Sequence, residues 1–114
     1  MRLIAPVILF LALGTTVAFA TEPSGSAASG QKFYIAKGCY ECHGTEAQGS
    51  SVSGPRLAPP APPYEAFLSE LRHPMSDMPP YSPAVLSDRD AADIYAFLKT
   101  IEAPPDPNSL PLLK

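Results

Sequence analysis

Two cysteines followed at once by a histidine are the residues of this chain best placed to do chemistry. They are Cys39, Cys42 and His43. One helical turn can bring both thiols to one edge of a porphyrin, where they form thioethers with its vinyl groups, and can place the imidazole beneath the iron. This spacing is the attachment signature of a c-type haem. It predicts one covalent haem c, with His43 as the proximal iron ligand.

Three other chemistries use paired cysteines. A redox dithiol needs a surrounding βαβ pattern, which the sequence does not show. A zinc site needs further ligands, but the chain has no second cysteine pair and only one other histidine, His73. A structural disulfide leaves His43 without a role. We therefore favour haem attachment.

Composition limits the class of protein and of partner. The 114 residues carry 8 Lys+Arg and 11 Asp+Glu, a net charge of -3, which argues against nucleic acid because its partners present basic patches. The 15 prolines limit regular secondary structure and predict extended or turned connections. No convincing strand pair is present. The prediction is an all-α fold of three or four short helices around one haem.

The N-terminal segment, residues 1–20, has the pattern of a signal peptide. Arg2 precedes an apolar run, and Ala18-Phe19-Ala20 supplies the small residues of a signal-peptidase site. We expect cleavage after Ala20 and a periplasmic protein, since c-type haem is attached outside the bacterial cytoplasm. The alternative is an uncleaved membrane anchor, because residues 3–20 approach the length of a spanning helix.

The remaining chain divides into a flexible leader at 21–28, a domain at 29–102 and a proline-rich tail at 103–114. Helices are predicted at about 29–37, stopped by Gly38, and at 64–72, ended by Pro74. Ser87 is a natural N-cap for a last helix that runs to the prolines at 104–105. The apolar stripe of that helix comprises Ala91, Ile94, Tyr95, Leu98 and Ile101.

The second axial position of the iron has several candidate ligands. Met78 stands before two prolines, which restrict the backbone and can hold a thioether without a helix. Met75 lies close behind Pro74, and core packing is its simpler use. His73 would give bis-histidine ligation and a lower potential. We favour Met78; Met75, His73 and an open site remain alternatives.

The chain resembles the small class I c-type cytochromes from about Ser29 to Ile101. Four features carry the resemblance in order: Gly30 and Tyr34 in a first helix, CYECHG at 39–44, GPRL at 54–57, and MPPY at 78–81 before a last helix with Tyr95. The resemblance implies a cytochrome c-like fold in which Gly30 and Tyr34 cross the last helix at Tyr95 and its neighbours.

The same resemblance implies roles for several site residues. Pro55 would accept a hydrogen bond from His43, Leu57 would lie against the porphyrin, and Met78 would be the distal ligand. A hydrogen bond to the far side of a ligating imidazole sets its orientation and raises its basicity. The chain departs from some members in lacking tryptophan. Candidate propionate partners are Arg56, Arg72 and Tyr64, although each is more simply a surface or packing residue.

The function implied is one-electron transfer rather than catalysis on a substrate. His/Met ligation fills both axial positions and raises the potential relative to bis-histidine ligation. Such a protein could be a freely diffusing shuttle or the electron-accepting subunit of a periplasmic dehydrogenase. Its partner would be a dehydrogenase subunit, a respiratory complex or a terminal oxidase. The alternative is a haem sensor or haem enzyme with an open or displaceable distal site.

Overall fold

The computed structural model describes residues 22–113, so the expected signal peptide and its cleavage site lie outside the described residues. The helices are α1 (Ala27–Ala36), α2 (Cys39–His43), α3 (Tyr64–Arg72) and α4 (Asp88–Leu98), followed by two short 3-10 helices, Pro107–Ser109 and Pro111–Leu113. Within 22–113 the only β-type pairing is an isolated bridge between Ser50 and Gly54. The all-α prediction is confirmed. Over the same range, none of the helices combines the length and apolar character needed to cross a membrane.

Helix α1 begins two residues earlier than predicted because Ser26 caps it. The Ser26 side chain accepts the N–H of Ser29, which satisfies one of the free donors at the start of the helix. Lys37 is the C-cap, and Gly38 follows with a φ of 78°. This left-handed conformation suits glycine and turns the chain directly from α1 into α2.

Helix α4 begins as predicted and ends earlier than predicted. Ser87 and Asp90 form a reciprocal capping box at its start. The helix stops at Leu98 instead of continuing to the prolines, because the Thr100 hydroxyl and N–H both bond the carbonyl of Phe97. A hydroxyl that takes a backbone carbonyl competes with the helical pattern. Ile101 therefore lies outside the helix, half-buried against the core.

The crossing of α1 and α4 forms the centre of the domain. Gly30 lies directly on the α4 backbone: a Cβ there would be 1.8 Å from the carbonyl oxygen of Asp93. No larger residue fits while the helices stay in place. One turn further along, Tyr34 is fully buried and its ring centroid is 5.4 Å from that of Phe97. The aromatic that meets Tyr34 is thus Phe97, a neighbour of Tyr95.

Tyr95 instead joins α4 to α3. Its ring lies 5.2 Å from that of Tyr64 and 5.6 Å from that of Phe67, centroid to centroid. Its hydroxyl donates to the carbonyl of Pro62 at 2.8 Å, just ahead of α3. Burial raises the pKa of the Tyr95 hydroxyl, which remains a neutral donor. This packing holds α3 against α4.

The chain ahead of α1 is held against α4 by two carboxylates. Asp93, which is only 5% exposed, accepts the N–H of Ser26 at 2.7 Å. Glu22 pairs with Lys99, and its carboxylate lies 3.3 Å from the oxygen of the Tyr95 hydroxyl. The pairing with Lys99 lowers the pKa of the Glu22 carboxyl. Asp93 is therefore part of the helix crossing rather than a surface charge.

Candidate haem site

A cavity of about 560 Å³ opens among α2, α3, α4 and the loops that follow α2 and α3. Its volume lies within the usual range for cofactor and ligand sites, roughly 300–1,000 Å³. Side chains from these separate elements make most of its wall apolar, which would keep water from a bound cofactor. The apolar lining residues include Leu57, Pro62, Ala66, Phe67, Leu71 and Ile94.

Helix α2 presents both cysteines to this cavity. It spans only five residues and lies between Gly38 and Gly44, each with a φ of 78°. Cys42 is exposed, whereas burial raises the pKa of the Cys39 thiol to about 11. As a thioether, Cys39 would carry no proton, so its burial suits the attached state. The two sulfur atoms lie on one turn at the wall of the cavity.

His43 is buried at the end of the same turn and lines the cavity. Its Nδ1 donates to the carbonyl oxygen of Pro55 at 2.8 Å, the hydrogen bond that the family resemblance implies. With the proton on Nδ1, the Nε2 lone pair is available to a metal. Gly54 packs closely against the imidazole ring, since a Cβ at this position would be 3.2 Å from Cε1 of His43.

The loop after α2 wraps around the end of that helix and returns to the cavity. The Gly49 N–H donates to the His43 carbonyl at 2.8 Å, and the Leu57 N–H donates to the Ala47 carbonyl at 2.9 Å. The Tyr34 hydroxyl donates to the Gly44 carbonyl at 2.7 Å, which ties α1 to the same loop. Leu57 consequently lines the cavity, where the sequence predicted a contact with the porphyrin.

Of the three candidate distal ligands, Met78 alone lines the cavity. Met78 is half-buried against the core, whereas Met75 is 92% exposed and His73 is exposed. The expectation that Met75 packs in the core was wrong. Its N–H is held by the Glu70 carboxylate at 3.0 Å, at the surface, where the chain has just left α3. The loop turns back inward only at Met78.

The predicted propionate partners do not line the cavity. Arg56 is exposed, Arg72 is engaged by the Tyr81 carbonyl and by Asp88, and Tyr64 packs on Tyr95. These contacts agree with the simpler interpretation of each residue as a surface or packing residue, and a role beside a propionate stays a prediction. Two of the three, Arg72 and Tyr64, make contacts between α3 and α4.

The charged residues that do line the cavity are Lys37, Glu41 and Glu70. Sequence reasoning missed them as site residues because they come from three different helix regions that only the folded chain brings together. Lys37 carries a usable signal, since it immediately precedes the glycine that leads into the cysteine motif. Its Nζ donates to the Val85 carbonyl at 2.7 Å.

The fold and the cysteine–histidine turn define a c-type cytochrome domain. Residues 25–98 match the family model described as cytochrome c oxidase, cbb3-type, subunit III. This is more than half of the chain, and the chain belongs to that family. Searches of curated proteins and of solved structures returned no match.

The residues present fit the cofactor that this family and its motif imply, one covalent haem c. Two thiols stand on one turn, a buried imidazole has Nδ1 satisfied and Nε2 free, and the wall is mostly apolar. When bound, haem supplies reversible one-electron oxidation and reduction of its iron. The chain is thus a monohaem c-type cytochrome domain that serves haem-based electron transfer.

Proposed function

We propose that this protein is a periplasmic one-electron carrier whose haem is attached through Cys39 and Cys42 and ligated by His43 and Met78. The observation that carries the proposal is that Met78 lines the same cavity as His43, while Met75 and His73 lie at the surface. Pro55 orients the imidazole, and Leu57 covers one part of the porphyrin site.

Ligation by two side chains leaves small molecules no vacant position at the iron. The walls from α3 and α4 are mostly apolar, which suits a buried macrocycle. Electrons would pass through the edge of the macrocycle near the exposed Cys42. A carrier of this kind docks weakly and quickly over a small interface.

The partner that we propose is a redox protein of an exported electron-transfer chain: a dehydrogenase subunit, a respiratory complex or a terminal oxidase. The family description names an oxidase subunit, which supports the last of these. The protein would act as a diffusing shuttle or as a subunit of such a complex. Export through a signal peptide cleaved after Ala20 predicts a mature protein beginning at Thr21, which N-terminal sequencing tests.

Met78→Ala, with Met75→Ala as the matched control, tests the distal ligand. We expect Met78→Ala to abolish the near-infrared sulfur-to-iron charge-transfer band, to admit carbon monoxide to the ferrous iron and to lower the potential, because the thioether favours reduced iron. Met75→Ala should leave all three properties unchanged. Wild-type protein that lacks the band and binds carbon monoxide readily would instead indicate an open-site sensor or haem enzyme.

A further inference from the structure

The loop that carries Met78, residues 73–81, is closed by the backbone of Tyr81. The Tyr81 N–H donates to the carbonyl of Leu71 at 2.8 Å. The Tyr81 carbonyl accepts a hydrogen bond from Nη1 of Arg72 at 2.6 Å. Leu71 and Arg72, the last two residues of α3, therefore bond both the N–H and the carbonyl of Tyr81, at the end of the loop.

Arg72 also reaches the next helix. Its Nη2 donates to the carboxylate of Asp88, the first residue of α4, at 2.5 Å. The Arg72 side chain is only 13% exposed. A planar guanidinium can serve two acceptors at set angles, and charge-assisted bonds of this kind are stronger than neutral ones. We call Arg72, Tyr81 and Asp88 the Arg72 clasp.

The side chain of Tyr81 extends the same connection to the cysteine motif. Its hydroxyl donates to the carbonyl of Lys37 at 2.9 Å, and its ring lines the cavity. Lys37 is separated from Cys39 only by Gly38. Through Tyr81, the clasp is thus connected to the segment just ahead of the helical turn that presents the thiols.

Few other hydrogen bonds secure the loop. Within residues 22–113, the remaining one between residues 74–80 and the rest of the domain joins the Met75 N–H to Glu70. The neighbours of Met78 in the sequence are exposed: Asp77, Pro79 and Pro80. The position of Met78 consequently depends on where Tyr81 is held.

We propose that Arg72 is a positioning residue that keeps Met78 at the iron by holding Tyr81. The proposal rests on the proposed function, in which Met78 is the distal ligand. Arg72 does not line the cavity and acts only through the loop. Without it, the Tyr81 carbonyl and the Asp88 carboxylate lose their shared donor, and the loop can move Met78 away from the site.

The test compares Arg72→Gln with Arg89→Gln, which removes the same charge from an exposed position on α4. The readouts are the near-infrared charge-transfer band, the affinity of the ferrous protein for carbon monoxide, and amide exchange at Tyr81. For Arg72→Gln we expect a weaker band, faster exchange and roughly ten- to a hundredfold tighter carbon monoxide binding, the range for losing charge-assisted hydrogen bonds. Arg89→Gln should match wild type, and Arg72→Lys should recover part of the loss.

Met78→Ala separates the two proposals. If wild type binds carbon monoxide as tightly as Met78→Ala does, the distal-ligand proposal fails and the clasp fails with it. If wild type excludes carbon monoxide and folded Arg72→Gln does so equally, only the clasp is wrong. Should Arg72→Gln not fold, Asp88→Asn removes the ion pair with little change of shape. A smaller rise in affinity there would support the clasp, and an unchanged affinity would overturn it.

Discussion

His43 and Met78 line the same cavity from segments that are held in place in different ways. His43 ends a helical turn, bonds Pro55 twelve residues later, and is followed by a loop that returns to its own carbonyl. Met78 lies in a loop whose position depends on α3, α4 and the end of α1. The proximal side is thus built from neighbouring sequence and the distal side from tertiary contacts. Substitutions on the proximal side should therefore cause loss of the haem, whereas substitutions on the distal side should change only the ligation of the iron.

The largest expected effect is on the proximal side. Cys39→Ala or Cys42→Ala should prevent normal haem retention, and His43→Ala should abolish the native absorption spectrum. Because the macrocycle would fill the cavity at the centre of a small core, the protein without haem should also fold poorly. Absorption spectra of purified protein and thermal melts followed by circular dichroism measure both effects.

An apo protein with full helicity and a cooperative melt would contradict this expectation. The contact between α1 and α4 at Gly30 would then be sufficient to stabilise the fold. The cavity would form without the haem, and the haem would not be needed to complete the core. Ser51→Ala, at an exposed position in the loop after α2, is a suitable control for expression and handling.

A smaller effect is expected when the support of the imidazole is disturbed. In Gly54→Ala the new Cβ would lie 3.0 Å from the Cys42 carbonyl oxygen and 3.2 Å from Cε1 of His43. Overpacking of this kind costs about 1–3 kcal/mol of unfolding free energy. The strained ring should bond Pro55 less well and become a less basic ligand, so the potential should rise.

Redox titration and denaturant unfolding of Gly54→Ala, each compared with Ser51→Ala, measure these changes. If the potential and the stability equal those of wild type, the loop around residue 54 has adjusted without moving the His43 ring. The proximal side would then be less rigid than its contacts indicate, and the contrast with the distal loop would weaken.

The smallest expected effect concerns the prolines of the distal loop. Pro80→Ala frees an exposed backbone position and should cost about 0.4–1 kcal/mol through the entropy of the unfolded or detached loop. Carbon monoxide affinity should therefore rise by at most roughly fivefold. Pro83→Ala, also exposed but outside the loop, is the control. An effect of Pro80→Ala as large as that of Arg72→Gln would show that proline stiffness, and not the clasp, determines the position of Met78.

The sequence predicted those features of the molecule that depend on residues close together in the chain. The cysteine–histidine spacing indicated the haem, which the family match supports, and Ser87 marked the start of α4 through a capping box that is present. Gly30 and Tyr34 were placed on one buried face because residues four apart in a helix share a side. These inferences needed only helical geometry and the chemistry of the residues themselves.

The failures arose where a side chain had several possible partners. The prolines after Met78 correctly favoured it over Met75, but the expectation that Met75 packs in the core was wrong, because its N–H bonds the Glu70 carboxylate at the surface. Nothing near Arg72 in the sequence indicated its contacts with Tyr81 and Asp88, because only the folded chain brings these residues within its reach. The end of α4 was placed at the next proline, whereas a threonine hydroxyl ends the helix sooner.

The pairing of Glu22 with Lys99 has a consequence for how this domain can be joined to other polypeptides. The chain enters beside α1 and leaves just after α4, so the entry and exit points lie together, and neither residue lines the cavity. Domains with adjacent ends tolerate insertion and fusion well, since a linker at either end need not cross the working surface. Such a unit could be attached to an anchor, an enzyme subunit or a second copy of itself with its haem edge still free to dock.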